Sequence, residues 1–168
     1  MVPTDRIASP GRMSGLVAVL LLALSVGCAA TDEDRIRRQL DDIAQTISVE
    51  AGESQFIRQA RATRLARYLA PDVDFDAGAP LLPGHGRDRV SQMVADVRMP
   101  SSGVSVAIAD VRVTIKVETR QALATVTAVV SDADAVGGEL REARTLNVVL
   151  ADIGGEWLVQ QVRFAGFP

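Results

Sequence analysis

Cysteine is almost absent from the sequence, since Cys28 is the only one in 168 residues. An intramolecular disulfide is therefore excluded. Aromatic residues make up only 4% of the chain, so a core must be built mainly from valine, leucine, isoleucine and alanine. A chain of this length can still bury an independently stable core, and it suits one domain plus a short processing segment.

A strong excess of either charge is also missing, because 18 basic residues stand against 21 acidic ones and the net charge is −3. Removal of residues 1–27 would take away Arg6, Arg12 and Asp5, leaving 16 basic and 20 acidic residues and a net charge of −4. This mild acidity disfavours nucleic acid as a partner, which requires a clustered basic face. It also disfavours a polybasic patch on an anionic membrane.

The N-terminal apolar run is too short to cross a membrane. It covers Leu16–Leu24, nine residues, whereas a membrane-spanning helix needs about 20. Arg6 and Arg12 precede the run, and basic residues followed by a short apolar segment are typical of a signal peptide. Small residues then lead into the cysteine at Ser25–Cys28.

The segment Ser25–Cys28 resembles the lipobox of bacterial lipoproteins. In that family the cysteine thiol is acylated, and the signal peptide is cleaved on the N-terminal side of the cysteine. The resemblance implies a lipoprotein signal peptide at 1–27, a palmitate-type lipid on Cys28, and a short lipidated tether at 28–32. The protein is then predicted to be anchored in the cell envelope by this lipid.

Two details of the segment bear on this prediction. Ser25 stands where the usual lipobox has leucine, so a plain secretory signal cut near Ala29 or Ala30 is the alternative. A lone cysteine at this position favours the lipoprotein. In the alternative the cysteine is discarded with the signal peptide, and its position would be a coincidence. Ala29 carries no inner-membrane retention signal of that family, which implies a periplasm-facing anchor in the outer membrane of a Gram-negative host.

Three segments of the remaining chain have the apolar periodicity of amphipathic helices. The first begins at Thr31, a capping residue followed by acids, and its apolar stripe ends at Ile47. The second is predicted at Ser54–Ala70 and ends before Pro71, because proline cannot continue a helix. The third is predicted from Arg87 to about Met99.

From Val104 onward the pattern is that of β-strands. Apolar residues fall on even positions up to Ile108 and on odd positions from Val111, which predicts a β-bulge near Ala109–Asp110. Helices followed by mostly antiparallel strands predict an α+β fold, with the helices on one face of a curved sheet of four to five strands. The further strands are expected at 72–76, 121–131, 141–151 and 156–164.

The order of these elements resembles the nuclear transport factor 2-like family, a cone-shaped fold also called cystatin-like. The resemblance covers most of 33–166 and implies one such domain at 33–168, with a curved sheet wrapped on helices around a pocket. The family includes steroid isomerases, dehydratases, polyketide cyclases and epoxide hydrolases, beside non-catalytic binding and assembly modules. The residues that carry the resemblance are Val49–Gly52, Arg67–Phe75, Gly86–Val90, Arg144–Leu150 and Gly155–Val159.

His85 is the only histidine, and histidine is the side chain that ordinarily titrates near neutral pH. Beside Asp74 or Asp76 it would form an Asp–His pair for general acid–base catalysis. The alternative is a solvated loop histidine between two flexible glycines. Asp72, Asp74 and Asp76 share one strand face, as in a hard-cation site, but three like charges are also typical of a solvent face. We expect no metal and no cofactor.

Polar residues on the predicted strands and on the second helix are further candidates. Tyr68, Arg112, Asn147 and Arg163 are predicted to line the pocket, although alternation on a half-exposed sheet explains the strand residues equally well. The second helix carries arginines three residues apart, which form either a solvated face or a surface for an acidic partner or lipid headgroups. These arginines are Arg58, Arg61, Arg64 and Arg67.

Two functions are predicted. The leading one is a non-catalytic, lipid-anchored module that binds a small apolar ligand or another protein, with a homodimer through the sheet face as one form of the latter. The alternative is a cofactor-independent isomerase, cyclase or dehydratase for a small hydrophobic substrate, with His85, Asp76 and Asp74 as its acid–base residues. A His85 side chain that faces a closed cavity would favour the enzyme, and one that faces solvent would disfavour it.

Overall fold

The computed structural model describes residues 30–78, 82–96, 103–132 and 140–166. The predicted signal peptide, its cysteine and the end of the third predicted helix lie outside these ranges. Among the described residues, no helix has the length and apolar character needed to span a membrane. The described helices are α1 (Asp32–Ile47), α2 (Gln55–Ala66) and α3 (Arg87–Asp96), and the strands are β1 (Val49–Glu50), β2 (Leu69–Asp76), β3 (Gly84–His85), β4 (Gly103–Lys116), β5 (Gln121–Asp132), β6 (Leu140–Ile153) and β7 (Glu156–Gly166).

The first two helices begin at residues suited to a helix N-terminus. The first turn of α1 holds the acids Asp32, Glu33 and Asp34, whose charge complements the helix dipole. Ser54 caps α2, because its side-chain oxygen accepts a hydrogen bond from the Ile57 N–H at 3.4 Å. These local signals explain why the chain turns into helix where it does.

The strands form one sheet in the order β1-β4-β5-β6-β7-β2-β3. All neighbours are antiparallel except β2 and β7, which are parallel. The α+β class and the curved, mostly antiparallel sheet are confirmed, but the predicted count of four to five strands is wrong. β1 and β3 have two residues each, which is too short to leave an alternating pattern in the sequence.

The predicted β-bulge in β4 is confirmed. Ala109 pairs with Thr127 and Arg112 with Thr125, so two residues of β4 stand opposite one of β5. Asp110 has a φ of 50°, a left-handed conformation in which Asp is tolerated better than most residues. The extra residue shifts the side-chain alternation by one, so that the apolar side chains on both sides of the bulge face the helices.

The second predicted helix is too long at its C-terminal end. α2 ends at Ala66, and the chain enters β2 at Leu69, so Pro71 lies inside a strand instead of after a helix. The pairing of β2 with β7 is interrupted between Leu69 and Asp74. Proline has no N–H to donate to a sheet, and this interruption is where a strand tolerates it.

The core lies between the helices and one face of the sheet. Ile36 of α1, Val73 of β2 and Leu150 of β6 have no exposed surface. Every residue of the buried core falls between Ile36 and Val162, and Asp32–Pro168 is one compact unit. A protein that begins at Ala29 therefore contains every core residue of the described ranges, and we expect it to fold without the preceding segment.

A buried ion pair joins α2 to the segment before it. Arg61 Nη2 lies 2.8 Å from Glu53 Oε2, and the two side chains are 8% and 7% exposed. Arg61 Nη1 also donates to the Ser48 carbonyl at 3.3 Å and to the Ile47 carbonyl at 3.5 Å. The Arg61 Nε has no partner among the described residues. This guanidinium thus depends on Glu53 for its charge compensation.

A second, more exposed pair joins Arg120, between β4 and β5, to Asp152 near the end of β6. Arg120 Nη2 lies 2.8 Å from Asp152 Oδ2, and the Gly155 N–H donates to Asp152 Oδ1 at 2.9 Å. The hydrogen bond from Arg120, supported by that from Gly155, lowers the pKa of Asp152. The carboxylate is thereby held in its charged form in the folded protein.

We expect the Arg120→Gln variant to raise the pKa of Asp152 toward its ordinary value. A pKa that is lower in the folded than in the unfolded state stabilises the fold above the unfolded pKa, and this stabilisation is lost as the pH falls through the folded pKa. The effect is therefore confined to acidic pH. NMR titration of the Asp152 side-chain carbonyl in both proteins measures it, and equal midpoints would contradict the assigned cause.

Candidate functional site

One face of the sheet is covered by the helices and the other is exposed, and the burial of the β5 residues distinguishes the two faces. Ala122, Ala124, Val126 and Ala128 are buried beneath the helices, whereas Leu123 between them is 40% exposed. Residues directly opposite each other on neighbouring strands point to the same face. The register therefore assigns every strand residue to an inner face, toward the helices, or to an outer face.

One end of the inner face carries charge among apolar side chains. Arg144 of β6 stands opposite Ala128, which in turn stands opposite Ile108 of β4. Leu146, on the same face, stands opposite Phe164 of β7. We call the residues at this end the interior site, and they are Phe75, Ile108, Glu142, Arg144, Leu146 and Phe164.

Arg144 is the central polar residue of the interior site. Its Nη2 and Nε each lie 2.7 Å from Glu142 Oε1, and its Nη1 lies 3.4 Å from the Ala77 carbonyl oxygen. The Arg144 side chain is only 16% exposed, whereas that of Glu142 is 37% exposed. A largely buried, planar guanidinium is suited to recognise a carboxylate or a phosphate.

Phe164 closes one side of the interior site against Gly78. A Cβ on Gly78 would lie 3.3 Å from Phe164 Cγ, and the φ of Gly78 is +77°. The Asp76 carboxylate fixes this turn, because its Oδ1 accepts a hydrogen bond from the Gly78 N–H at 3.2 Å. Glycine at position 78 thus allows both the left-handed backbone conformation and the close approach of the Phe164 ring.

Arg144 and Glu142 were not among the predicted site residues, although the sequence contains a signal for them. Both residues share the parity of Val148 and Leu150, which are buried. Charged residues that continue the buried parity of a strand point toward the inside. Extending the alternation of β6 toward its start would have placed both side chains on the inner face.

The predicted acid–base residues lie outside the interior site. His85 is exposed on β3 and stands opposite Asp74 of β2. The register thus brings these two residues together on the outer face, but the Asp74 carboxylate forms an ion pair with Arg163. Asp76 engages the Gly78 N–H, as described above. This arrangement does not favour an Asp–His pair, and the catalytic roles of all three residues stay predictions.

Three of the four predicted pocket residues form one row across the outer face. Arg112 stands opposite Thr125, Thr125 opposite Asn147, and Asn147 opposite Arg163. Within this row Thr125 Oγ1 donates to Asn147 Oδ1 at 3.0 Å. The row faces away from the helices. The sequence could not show this, because strand alternation alone does not reveal which face the helices cover.

Tyr68, the fourth predicted pocket residue, is half-buried between α2 and β2. Its carbonyl accepts a hydrogen bond from the Val159 N–H at 2.8 Å. This bond connects the end of α2 to β7. Within the described ranges, no three His, Cys, Asp or Glu side chains are grouped so that they would hold a metal ion.

Solved structures with the same architecture give the fold a name. A nuclear transport factor 2-like protein with a cystatin-like fold from Novosphingobium aromaticivorans superimposes with a TM-score of 0.60 at 15% identity, covering 92% of this chain and 89% of that chain. A protein of unknown function with a cystatin-like fold from Nostoc punctiforme gives 0.62 at 11% identity, covering 82% and 94%. The fold is nuclear transport factor 2-like.

A third similar structure has an enzyme's name. A candidate scytalone dehydratase, also from Novosphingobium aromaticivorans, gives a TM-score of 0.59 at 13% identity, covering 90% of this chain and 89% of that chain. Identities this low show a shared fold and not a shared activity. No protein-family model and no curated protein sequence matches the chain.

The nuclear transport factor 2-like domain also has a cleft of about 340 Å³ at the β1–β4 edge. Ser48 in its wall is already engaged, since its Oγ donates to the Ala44 carbonyl and accepts from the Val106 N–H, both at 2.9 Å. Gln45, Glu50 and Ser105 in the wall are exposed. This cleft is a surface groove, and it offers no buried charged group like the guanidinium of the interior site. Its lining consists of Gln45, Ser48, Val49, Glu50, Gly103, Val104, Ser105 and Ser131.

Proposed function

We propose that this chain is a lipid-anchored, non-catalytic ligand-binding module of the cell envelope. The lipobox-like segment before Cys28 supports export and anchoring, in the outer membrane and facing the periplasm if the host is Gram-negative. The nuclear transport factor 2-like domain supplies the ligand site. Only three residues separate the cysteine from the start of α1, so the site works close to the membrane surface.

The observation that carries the ligand assignment is Arg144 among the apolar side chains of the interior site. Its guanidinium is largely buried, while its partner Glu142 is more exposed and loses less by turning toward water. An incoming carboxylate can therefore take the place of Glu142 on the guanidinium. The ligand class is a small, largely apolar molecule with one acidic group.

The same domain is proposed to pair with a second copy through its outer face. Leu123 on that face is 40% exposed, and it stands opposite Val149 of β6. Leu158 of β7 lies on this face as well, since it stands opposite Ala151. A surface with an apolar centre and polar neighbours is typical of protein interfaces.

The geometry does not favour the enzymatic alternative. The dehydratase name belongs to a structure of 13% identity, and His85 faces solvent, on the other side of the sheet from the interior site. The Asp74 carboxylate is occupied by Arg163. An isomerase, cyclase or dehydratase activity would require a proton-transfer group other than His85 at the interior site.

We expect the Arg144→Met variant of the protein from Ala29 onward to bind cis-parinaric acid on the order of tenfold more weakly than the wild type. The substitution keeps the apolar stem and removes the charged donors. The methyl ester of the same fatty acid should bind both proteins alike. Fluorescence titration gives the affinities, and native mass spectrometry identifies ligands that co-purify.

Arg141→Met on the same strand is the matched control, because Arg141 is exposed and lies on the outer face. Its affinity for cis-parinaric acid should equal that of the wild type. Equal affinities of the Arg144→Met and wild-type proteins would refute the interior site as the place that recognises the acid.

A further inference from the structure

Helix α2 presents one face to solvent along its whole length. Phe56, Ala60 and Arg64 of α2 and the capping residue Arg67 directly after it follow one another at spacings of four, four and three residues, which places them on one side of the helix. All four are exposed, whereas Arg61, Ala62 and Leu65 on the opposite side are buried. We call these four residues the α2 stripe.

The N-terminal end of the α2 stripe is apolar and highly exposed to solvent. Phe56 is one of six aromatic residues in the chain, and it is 82% exposed. Its neighbour Ile57 is 52% exposed. In a protein so poor in aromatic residues, a phenylalanine and an isoleucine side by side on the surface form an apolar point that water solvates poorly.

The other end of the α2 stripe is basic. Neither Arg64 nor Arg67 has a side-chain hydrogen bond or an ion pair with the described residues. α2 contains no acidic residue, in contrast to α1 and α3. The mild net acidity of the protein is therefore an average, and this helix is a local basic surface.

The basic end of α2 and the start of α1 both connect to the β6–β7 hairpin. Arg35 of α1 donates to the Gly155 carbonyl at 3.0 Å, and the Tyr68 carbonyl after α2 accepts from the Val159 N–H, four residues further along the chain. Three residues lie between Cys28 and Asp32, so the tether reaches at most about 14 Å when extended.

We infer that the α2 stripe binds the surface of an anionic phospholipid membrane. Phe56 and Ile57 insert at the level of the headgroups, and the guanidinium groups of Arg64 and Arg67 bind lipid phosphates. An exposed apolar group beside basic side chains is the pattern of interfacial helices. This inference rests on the proposed membrane anchor, whose short tether would hold the domain at the bilayer.

Vesicle sedimentation of the unlipidated protein from Ala29 onward tests the inference apart from the anchor. We expect sedimentation with vesicles of phosphatidylcholine and phosphatidylglycerol, and little with phosphatidylcholine alone. Arg64→Gln and Arg67→Gln should each weaken vesicle binding roughly fivefold, and Phe56→Ser on the order of tenfold. The emission of a Phe56→Trp variant should shift to shorter wavelength on vesicles, whereas that of the wild type, which comes from the buried Trp157, should not.

The controls are Val117→Ser and Arg112→Gln. Val117 is 77% exposed and Arg112 is exposed, but neither lies on α2, so both variants should bind vesicles like the wild type. Unchanged thermal unfolding of every variant shows that only the surface has been altered.

Equal sedimentation of wild type and stripe variants would overturn the inference. So would stripe variants that keep vesicle binding and lose a protein partner, because the stripe would then be a protein interface. Failure of Cys28 to take a lipid would refute the anchor without changing vesicle binding.

Discussion

Replacement of Cys28 by serine should reduce incorporation of a palmitate analogue to background and release the protein from the membrane fraction. Cys28 is the only thiol in the chain, so no other side chain can take its place in thiol acylation. Several acyl chains on one residue anchor a protein stably, whereas a single chain binds only weakly and reversibly. Metabolic labelling followed by membrane fractionation measures both effects in the same cells.

Ser25→Leu is the matched control for this experiment, because it brings the segment closer to the usual lipobox. We expect this variant to be labelled at least as strongly as the wild type. Labelling of Cys28→Ser at the wild-type level would refute the lipoprotein assignment. Secretion of the unlabelled wild-type protein in soluble form would instead favour a plain signal peptide that is cut near Ala29.

Glu53→Gln should destabilise the domain by about 3–5 kcal/mol, the usual loss when one partner of a buried ion pair is removed. The variant leaves the Arg61 guanidinium buried with only neutral acceptors, namely the glutamine amide oxygen and the Ile47 and Ser48 carbonyls. Neutral acceptors do not balance a buried charge. Urea unfolding of the protein from Ala29 onward measures the change in the free energy of unfolding.

Two further variants separate the loss of a charge partner from other effects. Arg120→Gln removes an ion pair whose arginine is 63% exposed, and it should leave the free energy of unfolding close to that of the wild type. The double variant Glu53→Leu and Arg61→Leu should recover much of the loss, because an apolar pair leaves no charge buried. A Glu53→Gln variant as stable as Arg120→Gln would show that Arg61 is compensated elsewhere.

Much of the sheet could be predicted from the sequence, because its long strands alternate in a regular way. The change of parity across Ala109–Asp110 was enough to place the bulge in β4. Strands of two residues leave no such pattern, and β1 and β3 were missed for that reason. Pro71 misled the prediction, since a proline after an apolar helical stripe normally ends the helix, and only the interrupted pairing with β7 explains its place in β2.

The candidate site was harder to predict than the fold. Alternation separates two faces of a strand, but it does not say which of them the helices will cover. Arg112, Asn147 and Arg163 share one row on the outer face, and their role in lining a pocket stays a prediction. Arg144 escaped notice because an arginine in a strand ordinarily faces solvent. Its Nη1 donates to the carbonyl of Ala77, 67 residues away, a contact that strand alternation does not reveal.

The parallel pairing of β2 with β7 determines when the sheet can close during synthesis of the chain. Leu69 has Val159 as its partner, ninety residues later in synthesis, and Tyr68 depends on the same strand for its hydrogen bond. Contacts this distant form late. The growing chain cannot close its sheet until β7 has been released by the ribosome. The proposed export signal is complete long before that, so the secretory machinery meets an unclosed chain.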